Sequence, residues 1–180
     1  MIPATPPPVS YVVNPSPSPV ENSGLSELQQ MQARMLIEQY GLEPDVAVVR
    51  VKQQDEHSKT DQRARQVLGK AYAGSHIDQK RGVLTIFTTD EKTAEQLRGD
   101  GTEVKAVARS QEKLDELQQL ALDKLGERFR SARVDTEHNS VIIGVDPADL
   151  DAATEAIEDL DGVEIEADSA TVQQQSTTLG

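Results

Sequence analysis

The chain has 180 residues, of which 36% are apolar and 3% aromatic, with no Trp. That is enough for one or two small domains whose cores rest on Val, Ile, Leu and Ala. A formal net charge of −13 argues against nucleic acid as a partner, because phosphate binding calls for clustered Lys and Arg. The absence of Cys excludes disulfides and thiolate metal sites, and no apolar run reaches the roughly 20 residues that span a membrane.

The opening "MIPATPPPVSYVV" has neither a basic region nor a continuous apolar run, so no signal peptide is read there. Taken as complete, the sequence reads as cytoplasmic. Residues 1–23 hold seven of the nine prolines and one charge, Glu21, a composition that predicts a disordered Pro/Ser-rich tail. Residues 24–73 read as an N-terminal helical segment. In it Leu25, Leu28, Met31, Met35, Leu36 and Tyr40 recur at helical spacing, and Gly41 supplies a stop. A second helical stretch, Glu43 to Tyr72, is expected to break near Ser58–Thr60.

The chain then repeats itself. From Gly74 it reads "GSHIDQKRGVLTIFTTD", and from Ser131 "SARVDTEHNSVIIGVD". Asp78 and Asp135 lie 57 positions apart (135 − 78), and at that offset Leu84 and Ile86 fall on Val141 and Ile143. Each stretch predicts a hairpin whose turn closes on a residue at positive φ, Gly82 in the first copy and Asn139 in the second. On this reading Gly at position 139 is nearly neutral.

Each hairpin leads into a helix and a third strand. In the second copy Asp146 is a candidate N-cap and Pro147 fits the first helical position. Leu150, Ala153, Ile157 and Leu160 continue one face, Gly162 ends it, and Val163, Ile165 and Ala167 alternate as a strand. The first copy follows with Ala94 and Leu97, Gly99–Gly101, then Val104, Ala106 and Ala108. The predicted fold is α+β: a helical segment followed by two similar three-stranded sheets, each hairpin–helix–strand with a helix packed on it. The helix "SQEKLDELQQLALDKLG", between Ser110 and Gly126, connects them. Residues 74–126 make the first unit with this helix, 127–168 the second, and 169–180 an extended tail.

Charge is divided unevenly. Residues 74–109 carry six acids and six bases, whereas residues 131–168 carry twelve acids against Arg133 alone, a net of −11. Such a surface keeps a small domain soluble or steers it toward a basic partner. Three histidines are present, His57, His76 and His138. Asp135 and Glu137 flank His138, but a metal needs three or four converging ligands, so a surface turn is the simpler reading and no metal or cofactor is assigned. No nucleophile elbow, phosphate-binding loop or dinucleotide fingerprint occurs. No catalytic residue is assigned, and the chain is not read as an enzyme.

The run "LGKAYAGSHIDQKRGVLTIFTTD", then "AEQLRGDGTEVKAVARSQEKLDEL", and later "SARVDTEHNSVIIGV" resembles the pro region of the α-lytic protease and streptogrisin family, over about residues 25–168. His76 and Ile77, and Ala132 with Arg133, stand where that family usually carries an aromatic. The G-D-S-G-G segment of its protease does not occur in this sequence. The resemblance implies a secreted folding assistant and inhibitor of a chymotrypsin-like serine protease, acting in cis or in trans. It places docking on the sheet edge at Val163, Ile165 and Ala167. It lays the tail (Val172, Gln173, Gln174, Gln175, Ser176, Thr177, Thr178, Leu179 and Gly180) in the protease cleft. The alternative is a free-standing α/β adaptor for an unrelated protein.

Overall fold

The computed structural model describes residues 18–169. The chain divides into two compact units, Met1–Gln54 and Asp55–Gly180. The architecture is α+β: a helical N-terminal part, then two three-stranded sheets with helices packed on them.

In the first unit α1 (Glu27–Tyr40) opens with a capping box in which Ser26 and Gln29 satisfy each other's backbone N–H. It ends at Gly41, which adopts φ 65°. Its core joins Val20, Leu25, Ala33 and Leu36 to Ala47, Val48 and Val51 of α2 (Pro44–Leu68). The helix forms as its spacing predicts, but its apolar residues form two stripes and the neighbouring helix covers only one of them, so Leu28, Met31 and Met35 stay 64%, 57% and 56% exposed. One expectation is corrected: residues 18–23, assigned to the disordered tail by composition, form a turn that buries Val20, because that side chain has Leu25, Ala33 and Leu36 to pack with.

The break expected near Ser58–Thr60 is absent, and α2 runs unbroken. Thr60 donates its hydroxyl to the Glu56 carbonyl (2.9 Å) and Lys59 pairs with Glu56 (3.0 Å). The polar residues that would compete for the backbone are therefore satisfied along the helix itself.

In the second unit β1 (Tyr72–Asp78) and β2 (Val83–Thr88) form the first hairpin, followed by α3 (Glu91–Ala94) and β3 (Thr102–Ala106). Then come α4 (Gln111–Leu125), β4 (Phe129–Asp135), β5 (Ser140–Val145), α5 (Leu150–Ala156) and β6 (Val163–Ala167). The sheets are ordered β1-β2-β3 and β4-β5-β6, each with an antiparallel hairpin and a parallel third strand. Even the irregularities match, one between Tyr72 and Ser75 and one between Phe129 and Ser131. The crossover helices are short. In the first copy β3 ends at Ala106, and of the three residues expected to alternate inward only Val104 is buried.

The duplication is longer than the hairpins. At the same offset of 57, Ala64 and Ala121 are both fully buried, Leu68 and Leu125 end their helices, and Gly69 (φ 51°) and Gly126 (φ 59°) begin equivalent single turns before β1 and β4. So α4 is the opening helix of the second copy, and its counterpart is the last part of α2. The cores repeat accordingly: Ala64, Leu68, Leu84 and Ile86 in one, Ala121, Leu125, Val141 and Ile143 in the other.

Candidate interaction surface

Each hairpin is closed by the aspartate that ends its first strand. Asp78 accepts from the backbone N–H of Lys80 (3.0 Å) and Arg81 (3.1 Å), and Asp135 from that of His138 (3.0 Å). These bonds favour the ionised carboxylate. The Arg81 N–H is the main cause that lowers Asp78 below the ordinary carboxylate range, and the His138 N–H does the same for Asp135. Gly82 lies at φ 70° and Asn139 at φ 53°, as the shared turn demands.

The two turn residues nevertheless differ in role. The Asn139 amide accepts from the Arg109 N–H (2.8 Å) and donates to the Arg109 carbonyl (2.8 Å). Arg109 returns a bond from its guanidinium to the Asn139 carbonyl (3.0 Å), pairs with Asp161, and lies so close to Gly162 that a Cβ there would collide with it. One arginine between β3 and α4 thereby holds both turns of the second copy. In the first copy the nearest equivalent is the buried His57, against Gly101.

In the first copy Asp61 of α2 accepts from the Tyr72 hydroxyl (2.5 Å), the Ser75 hydroxyl (2.7 Å) and Arg65 (3.1 Å), and Arg65 stacks 4.5 Å from the Tyr72 ring centre. Burial alone disfavours the Asp61 charge, but the three hydrogen bonds outweigh it and hold the carboxyl below its usual range. Burial, with the carboxylate beside it, pushes the Tyr72 phenol up to about 12. At the same offset the second copy has Gln118, Leu122, Phe129 and Ala132, and Phe129 is 39% exposed.

The edge residues predicted for docking are on β6, an outer strand of its sheet among the described residues. The Gly162 carbonyl accepts from Val141 (2.8 Å) and the Asp168 N–H donates to Val145 (2.7 Å). By alternation, the backbone groups of Ile165 and Ala167 and the carbonyl of Val163 turn to the open edge. The Val163 N–H turns back to Leu160 (3.4 Å). The side chains of Val163 and Ile165 pack on the core, and Ala167 is exposed. Beside them Glu164 and Glu166 point to the other face, where Glu166 meets Arg133 (2.7 Å). The predicted tail from Val172 to Gly180 lies outside the described residues.

A groove of about 530 Å³ crosses the open face of the first sheet, floored by Thr85 and Phe87. His76 and His138 line it, each paired with a carboxylate: His76 Nε2 lies 2.7 Å from Glu137 and His138 Nδ1 lies 2.8 Å from Asp135. Among the described residues no three His, Asp or Glu side chains converge as a metal would require, and no helix is long and apolar enough to cross a membrane.

The described surface thus offers open strand edges and charged sheet faces, the parts of a scaffold. Residues 45–107 match the family model of the alpha-lytic protease pro N-terminal domain. The resemblance to a protease propeptide therefore holds over α2 and the whole first copy, to the end of its third strand. Comparison with curated proteins gives no match.

Proposed function

We propose that this chain acts as the pro region of a chymotrypsin-like serine protease, assisting its folding and then inhibiting it, and that it works outside the cell as secreted proteases do. The observation that carries this reading is the match over residues 45–107, together with a second copy of the same fold immediately after it. A two-barrel protease is rich in non-local contacts and folds slowly, because loop closure precedes the contacts that reward it. A preformed sheet that binds the folding transition state better than the unfolded chain lowers that barrier. The β6 edge, at Val163, Ile165 and Ala167, has the backbone groups for strand addition. The tail from Val172 to Gly180 then lies extended in the cleft. The chain itself contributes binding and no chemistry.

The test is refolding in trans. A denatured α-lytic-type protease domain regains activity on addition of this chain and removal of the inhibited complex by digestion. A yield no greater than with an unrelated acidic protein of equal size overturns the proposal and leaves the adaptor reading.

A further inference from the structure

The second hairpin comes closest to the backbone of the first sheet at Gly74. Gly74, in the irregular part of β1 at φ 108°, lies so close to Thr136 that a Cβ there would stand 2.5 Å from the threonine methyl. Two residues along β1, His76 reaches Glu137 of the same turn at 2.7 Å. Glycine permits the approach, and the histidine–carboxylate pair spans the two copies beside it. We propose that His76 and Glu137 form a pH-sensitive latch, which holds the second hairpin against the first sheet more tightly when the imidazole is charged.

Imidazole side chains change charge between about pH 5 and 8. A charged His76 carries a proton on both ring nitrogens, so its Nε2 donates to Glu137 and the two charges attract. A neutral ring keeps the hydrogen bond only in the tautomer with its proton on Nε2, and loses the charge attraction. Other charged groups face the pair. Asp78 on β1 and Glu103 on β3 line the same groove, with Arg81 from the first turn and Lys105 from β3 opposing them. Asp135, Glu137 and Arg133 approach from the second hairpin, beside His138. Arg81 is taken up by Glu103 (2.6 Å) and Arg133 by Glu166 (2.7 Å). His138 is turned to Asp135. Asp61 of α2 is turned to Tyr72 and Ser75. Glu137 is thus the carboxylate that His76 hydrogen-bonds, while Asp78 on the same strand is near enough to feel its charge.

The pair is about half exposed on both sides, so the latch shifts a balance and does not lock it. For such a pair the fraction of molecules with the hairpin released falls about two- to fivefold from about pH 8 to about pH 5.5. The groove, walled by His76, Glu137 and His138, closes with it.

The chain has no Cys, so two labels can be placed cleanly. Spin labels at Lys92→Cys and Asp151→Cys, both exposed and away from the groove, report the distance between the copies by pulsed dipolar spectroscopy in the full chain. The distribution is expected to narrow at about pH 5.5 and broaden at about pH 8. Glu137→Gln should abolish the dependence while His138→Gln retains it. A pH-independent distribution in the labelled parent overturns the latch without any further variant. So does a dependence that survives Glu137→Gln or disappears only with His138→Gln.

Discussion

The side-chain amide of Asn139 bonds both the N–H and the carbonyl of Arg109, 30 residues earlier in the chain. A turn position at which glycine satisfies the backbone has therefore acquired a second task. Asn139→Gly relieves a little left-handed strain but leaves two part-buried backbone groups of Arg109 without those partners, so it is expected to destabilise by about 2 kcal/mol. Gly82→Val should cost at least about 1–2 kcal/mol through left-handed strain. Urea denaturation of both variants checks this. A neutral Asn139→Gly would reduce the residue to its φ angle.

Gly74 makes a separate prediction. Alanine there must hold φ 108° and displace the Thr136 methyl, so Gly74→Ala should destabilise by about 2–3 kcal/mol. Adding Thr136→Ser, which removes the methyl, should recover only part of the loss, since the backbone strain remains. Full recovery in the double variant would place the whole cost in the clash.

The Asp61–Tyr72 pair sets opposite pH limits. The Asp61 carboxyl is held below the ordinary carboxylate value of 3.8. Its contribution is whole above that value and is lost as pH falls through the lower folded value. The Tyr72 phenol is raised from 10.0 to about 12. Its contribution is whole below pH 10 and is lost as pH climbs from there toward 12, because the unfolded chain releases its proton first. Tyr72 should resist ionisation until about pH 12 when tyrosinate absorbance is followed, and Tyr72→Phe should remove that late phase. A titration in which Tyr72→Phe deletes an early phase would contradict the geometry.

The hairpins were legible because their constraints are local. A strand-ending Asp, a residue that accepts positive φ and an alternating strand recur at one offset, and the turns form as those residues require. The helical part of the repeat was hidden because Ala64 and Ala121, or Gly69 and Gly126, are single matches set in unrelated helix surfaces. Only their burial and φ angles reveal the equivalence. The inward face of α1 was illegible for another reason. Periodicity reports apolar residues without saying which stripe a neighbour will cover, and Leu28, Met31 and Met35 lie on the uncovered one. The Arg109 clamp had no signal at all, since a lone arginine between a strand and a helix resembles any surface charge.

The acidic second copy should act on encounter. With a net of −11 over residues 131–168, association with a protease is expected to slow as salt rises, while dissociation changes less. Stopped-flow traces at several ionic strengths separate the two rates. An association rate indifferent to salt would assign the charge to solubility alone.

The central claim is inhibition through the second sheet and the residues after it. An inhibition constant against a streptogrisin-like protease, measured for the full chain, for a deletion of residues 170–180 and for Leu179→Asp, tests it most directly. The account predicts strong inhibition by the full chain and a loss of at least tenfold in both variants. The deletion removes the segment proposed for the cleft. Leu179, the largest apolar side chain of that segment, is the proposed occupant of the primary specificity pocket, where a carboxylate buried without a partner costs several kcal/mol. Circular dichroism of the deletion should match the parent. Equal inhibition by all three would remove the tail from the interface, and no inhibition by the full chain would contradict the account itself.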